Sequence, residues 1–135
     1  MIKAILDKQI MIRVSNEVGA LAEICRVVSE AGINMIAVNA YAIDNKGFIM
    51  FVTEDNKQAQ KLLSAKNYNV REEEVILLSV DNKPGSLQKI LAKIADAGVD
   101  LTLLYGSVNE KSKKSPIIMV TEDNQTALTI IKMQS

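Results

Sequence analysis

Apolar and polar positions fall in the same order twice along the chain. Ile10-Met11-Ile12-Arg13-Val14 is a short run rich in β-branched residues, stopped by Ser15-Asn16, and it predicts a strand. After a loop containing Gly19, Leu21, Ile24, Cys25 and Val28 recur at i, i+3, i+4 and i+7. That spacing predicts one face of an amphipathic helix, with Gly32 in the place of a terminating glycine. Val75 to Val80, then Leu87, Ile90, Leu91 and Ile94 before Gly98, reproduce both elements at the same spacing.

Between these copies, Ile33 to Ile43 and Phe48 to Thr53 read as two strands joined by Asp44-Asn45-Lys46-Gly47, whose chemistry suits a hairpin turn. Asp55 or Asn56 can cap a second helix carrying Ala59, Leu62 and Leu63, and Tyr68 to Arg71 reads as a weaker fourth strand. The order is β-α-β-β-α-β. In the second half, Val99 to Ser107 and Pro116 to Val120 are the hairpin strands, and Thr121-Glu122-Asp123-Asn124 repeats Thr53-Glu54-Asp55-Asn56 letter for letter. A final helix around Ala127, Ile130 and Ile131 runs almost to Ser135, leaving too few residues for a fourth strand.

The expected fold class is therefore α+β, with two tandem βαββαβ ferredoxin-like units at 1–73 and 74–135, the second with its last strand truncated. The open edge this leaves would be filled by the other unit, by the extra N-terminal residues or by a second chain. Glu72-Glu73-Glu74 is expected to be a solvated junction between the units. Val75-Ile76-Leu77-Leu78 and Phe48-Ile49-Met50-Phe51-Val52 are apolar at successive positions, so both faces of these strands need cover. A homo-oligomer with sheets packed face to face would supply it; tight packing of the two units within one chain is the alternative.

Composition narrows the chemistry. The 135 residues are 48% hydrophobic and 24% charged, as in globular proteins, and each half, at about 65 residues, is small enough to lean on a neighbour. Sixteen basic and sixteen acidic residues give a formal net charge of zero, so no overall field draws the chain to nucleic acid or to an anionic membrane. There is no histidine, which removes the commonest general base and metal ligand. Cys25 lies in an apolar helical stripe and is expected to be buried rather than reactive. No catalytic constellation, metal site or cofactor motif is expected. Lys111, Lys113 and Lys114 would tip an elongated hairpin as solubilising charges. Met1 to Lys8 is too short and too charged for a signal peptide, and no apolar run approaches a membrane span, so a cytoplasmic protein is expected.

The loops carry a resemblance. Asn82-Lys83-Pro84-Gly85-Ser86-Leu87, its weaker copy Asn16-Glu17-Val18-Gly19-Ala20-Leu21, and the Ala-Gly-Ile-Asn and Ala-Gly-Val-Asp segments at 31–34 and 97–100 resemble the ACT domain, a small-molecule-binding regulatory module. The resemblance spans nearly the whole chain as two units. It implies a non-enzymatic protein that binds an amino acid at interfaces between ACT units and acts through quaternary structure or by docking to a metabolic enzyme. It also implies a homo-oligomer, a dimer or higher. Carried over by position, it implicates Asn16, Val18, Gly19, Ala20, Leu21 and Asn34 in the first unit, and Asn82, Pro84, Gly85, Ser86, Leu87 and Asp100 in the second.

The chemistry is consistent with that. Amides at a helix N-terminus favour a carboxylate, glycine allows close approach, and an Asn or Asp side chain can accept from an ammonium group. Val18 stands where the family has proline and Asp100 where it has asparagine, so the two sites are not equivalent. The rival reading is a small enzyme on the same ferredoxin-like architecture, since fold does not dictate function.

Overall fold

The computed structural model describes residues 3–15, 18–81, 83–106 and 114–133. Along the chain run β1 (Lys3–Ser15), α1 (Ala20–Glu30), β2 (Met35–Ile43), β3 (Lys46–Thr53), α2 (Asn56–Ala65), β4 (Val70–Asp81), α3 (Ser86–Asp96), β5 (Leu101–Gly106), β6 (Lys114–Thr121) and α4 (Asn124–Lys132). The fold is α+β, two βαββαβ-like units, as the periodicity predicts. Among the described residues no helix is long and apolar enough to cross a membrane.

The compact units are Lys8–Glu73, and Met1–Asp7 together with Glu74–Ser135. Residues 3–7 group with the second unit, whereas the 1–73 division placed them with the first. The reason is visible in the packing. β1 is much longer than the predicted strand at 10–14 and is the hydrogen-bonded neighbour of β4. Its Ala4 is buried in one core with Ile76, Leu78, Ile90, Ile94 and Ile131, and Leu6 packs against that core. The N-terminal residues thus occupy the place of the fourth strand that the second half lacks.

In the Lys8–Glu73 unit the strand order is β2-β3-β1-β4. Ile10 and Ile12 of β1 and Ile49 and Phe51 of β3 turn one face toward α1 and α2, where they meet Ile24, Val28 and Leu63. The helix face is centred on Ile24, Val27 and Val28 rather than on the predicted stripe, which leaves Cys25 half-buried at its margin and Leu21 37% exposed in the first turn. Asp44 and Asn45 alone form the β2–β3 turn, at φ 48° and 65°, the left-handed geometry that matches strand twist in a two-residue hairpin. Gly47 is instead a strand residue beside Val14, whose Cγ2 would lie 3.0 Å from any added Cβ.

Glu72-Glu73-Glu74 spans the division between the units, with Glu72 and Glu74 exposed and Glu73 half-buried. It lies inside β4, which runs unbroken from Val70 to Asp81 and joins the two predicted strands into one. Backbone pairing is indifferent to side-chain charge, and Glu73 accepts a 2.7 Å hydrogen bond from Nε2 of the fully buried Gln9.

The two-faced apolar runs are buried on both faces. Met50, Val52, Val75 and Ile118 lie outside both helix-side clusters yet are 4%, 0%, 0% and 0% exposed within the single chain.

Each Thr-Glu-Asp-Asn copy ends a strand and starts a helix by the same hydrogen bonds. The Asp55 carboxylate caps α2 by accepting from the Gln58 amide at 3.1 Å, while Asn56 Oδ1 accepts from the amide and hydroxyl of Thr53. Asp123 and Asn124 do the same with Thr126 and Thr121. The sequence left Asp55 and Asn56 as alternative caps; the aspartate takes the role because the asparagine is committed to the strand end.

Candidate functional site

Gly19 and Gly85 are the N-caps of α1 and α3, at φ 89° and 85°. A Cβ at either would meet nothing within 4 Å, so it is the left-handed backbone and not crowding that requires glycine. Glycine brings no side chain, so the N-cap residue itself closes neither α1 nor α3, whereas α2 and α4 are closed by Asp55 and Asp123. Among the described residues, the two helices that start at the repeated loops thus carry no side-chain cap at the positive end of the helix dipole.

The sequence-predicted residues divide into two groups. Val18, Gly19 and Leu21 are exposed and Ala20 is half-buried, together at the start of α1; Pro84 and Gly85 are exposed, and Ser86 and Leu87 half-buried, at the start of α3. Asn34 and Asp100 are exposed at the far ends of the same helices. With α1 and α3 each 11 residues long, about 16 Å separates the two ends. No single unit therefore brings its loop and its strand-start side chain together. The carbonyls of Asn34 and Asp100 accept from the Glu54 and Glu122 amides at 3.1 and 3.0 Å, and the Asp100 amide donates to Glu122 Oε1 at 3.1 Å. Asn16 and Asn82, and with them Lys111 and Lys113, lie outside the described residues.

Around Gly19 the structure adds residues that spacing alone did not single out. A cleft of about 510 Å³ runs from Gly19 and Ala20 to Arg13, Glu23 and Asn69. A second, of about 400 Å³, lies between the same loop and Ala40, Ala42 and Gly47, where small residues leave room above the hairpin. The Glu23 carboxyl is held below its usual range, chiefly by the hydrogen bonds from Arg26, whose Nη2 lies 2.7 Å from Oε1. The first cleft thus carries an ionised carboxylate beside a helix N-terminus. That combination suits a small zwitterion: the carboxylate toward the helix amides, the ammonium toward Glu23. Arg13 sits in the predicted strand, but only the register shows which way it faces.

Comparison with known proteins follows the same lines. Residues 8–70 match the ACT domain family. No curated protein matches the sequence. Among solved structures, a protein from Bacteroides thetaiotaomicron is similar at a TM-score of 0.90 and 24% identity, over 97% of this chain and 90% of that one. The ligand-free regulatory subunit of aspartate kinase from Thermus thermophilus is similar at a TM-score of 0.67 and 15% identity, over 96% and 95%. Aspartate kinase from Clostridium acetobutylicum is similar at 0.63 and 16%, with 96% of this chain covering 33% of that enzyme. At these identities the likeness is one of fold.

Proposed function

Since this chain is an ACT-domain protein, we propose that it is a non-enzymatic regulatory module that binds an amino acid at its glycine loops and acts through quaternary structure or by docking to a metabolic enzyme. The observation that carries this reading is the contrast among the helices: α1 and α3 begin at glycine without a side-chain cap, while α2 and α4 are capped by aspartate. A helix start at glycine beside Glu23 offers a zwitterion both of its complements, helix amides for the carboxylate and Glu23 for the ammonium. Asn34 and Asp100 would join such a site only from a neighbouring ACT unit, because each lies a helix length from its own loop. The edge strand β2 exposes Ile36, Val38 and Ile43, apolar positions on which another unit could pair. The fold likeness to a regulatory subunit of aspartate kinase supports a regulatory role and association with an enzyme.

Ligand at about a hundred times its Kd would favour the bound assembly by about 2.7 kcal/mol, enough to bias such an equilibrium. The test is a melting-temperature panel of the common amino acids, with sedimentation of the protein in the presence and absence of any hit. A rise with one or a few amino acids is expected. No shift with any of them would overturn the reading.

A further inference from the structure

On the side of the Lys8–Glu73 sheet away from α1 and α2, a cavity of about 270 Å³ has Met11 and Met50 among its lining, with Phe48, Arg13, Arg71 and Tyr41 around them. Register explains the grouping. Met11 opposes Met50, and Arg13 opposes Phe48, which opposes Tyr41 on its other side, so the three form a row across β1, β3 and β2. The Phe48 and Tyr41 rings stack with centroids 5.1 Å apart and planes at 18°, and the Arg13 guanidinium carbon lies 5.4 Å from the Phe48 centroid. Among the described residues no acidic side chain lines the cavity, and neither Arg13 nor Arg71 has a carboxylate partner.

The repeat shows that this row is not needed for the fold. In the other unit the positions of Arg13 and Phe48 are taken by Ser79 and Pro116, and those of Met11 and Met50 by Leu77 and Ile118, in the same strand register. The same architecture is thus built without the cations or the ring.

We propose that this cavity binds a small organic anion, a phosphate monoester or a carboxylate, that carries a flat aromatic group. The two guanidinium groups would take the anion by charge-assisted hydrogen bonds. The flat group would lie on the polarisable floor of Met11 and Met50, against the exposed ring of Tyr41. The volume sets the scale at one ring with one head group. This inference does not depend on the glycine loop binding an amino acid.

The test is titration of the full chain, followed by calorimetry and amide NMR, with phenyl phosphate, benzoate, inorganic phosphate and benzyl alcohol. Saturable binding of phenyl phosphate or benzoate is expected, the tighter of the two identifying the head group, with inorganic phosphate and benzyl alcohol each at least tenfold weaker. Amide shifts should centre on Met11, Phe48, Met50 and Arg71. Arg71→Gln and Arg13→Gln should each weaken binding at least fivefold while leaving the melting temperature within a few degrees. Equal binding of inorganic phosphate would reduce the site to bare charge, and equal binding of benzyl alcohol would reduce it to an apolar dent; either overturns the proposal. So would silence from both aromatic anions, wild-type affinity in the arginine variants, or shifts confined to residues 20–22 at the start of α1.

Discussion

The side-chain amide of Asn56 donates to the backbone carbonyl of Lys8 at 2.7 Å, joining the start of α2 to β1 across 48 positions of sequence. Asn124 makes the equivalent bond to the Glu74 carbonyl at 3.1 Å. Each asparagine also accepts from a threonine amide and hydroxyl on its other side. The duplicated Thr-Glu-Asp-Asn motif is therefore a latch that fixes where a helix starts relative to the first strand of its unit.

Removing the latch should cost more in the second unit. Asn124 is 9% exposed and its partner Thr121 7%, so Asn124→Ala leaves the Thr121 amide and the Glu74 carbonyl short of partners away from water, at about 2–3 kcal/mol. Asn56 is more exposed, and Asn56→Ala should cost about 1–2 kcal/mol. Urea denaturation of both variants measures the difference.

Displacing the N-terminal strand should weaken the unit formed with residues 74–135. Ala4→Asp places an unpaired carboxylate where the side chain is 8% exposed, beside Ile76 and Ile131, and is expected to cost about 2–3 kcal/mol. Hydrogen exchange should then quicken first at Ile76, Leu78 and Met119, before Ile12, Ile49 and Phe51.

Glycine substitutions should separate strain from crowding. Gly85→Ala forces a side chain into φ 85° with open space around it, so the cost is the left-handed backbone alone, about 1–2 kcal/mol. Gly106→Ala has no positive φ, but its Cβ would lie 2.8 Å from the Pro116 carbonyl oxygen. β5 and β6 must separate to admit it, and the larger loss of stability is expected there. Circular dichroism melts of the two variants provide the comparison.

Stability should fall in acid partly through Asp123. Its carboxyl is held below the ordinary value of 3.8, first by the Thr126 hydroxyl and then by the Thr126 amide, so the folded state favours the ionised form. The contribution is present above 3.8 and is lost as pH falls through the lower folded value. Asp123→Asn should therefore melt lower than the wild type at neutral pH, and the gap should narrow below pH 3.8; a melting series from pH 6 to pH 2 reads it.

The glycine loops were legible because a turn signal followed by helical spacing was written twice. Gly19 and Gly85 stand where a left-handed residue is needed, which a turn signal followed by helical spacing already implied. Arg13, Glu23 and Asn69 were not legible as partners of the loop: they come from β1, α1 and the entrance to β4, and nothing local brings them together. Asn34 and Asp100 were expected to act across an interface between ACT units, not within one. They follow the loops closely in sequence, but a whole helix intervenes, and its length carries them about 16 Å off.

By itself the sequence determined the duplicated βαββαβ order, the hairpin at Asp44-Asn45, the helix-ending glycines and the near-identity of the two helix starts, because these follow from periodicity and turn chemistry within a few residues. Tertiary structure alone decided that residues 3–7 complete the second unit, that Glu72-Glu73-Glu74 continue a strand, and that Arg13, Phe48 and Tyr41 form a row. Those outcomes depend on which strands are neighbours and in what register, and strand pairing is a long-range choice made by the whole core.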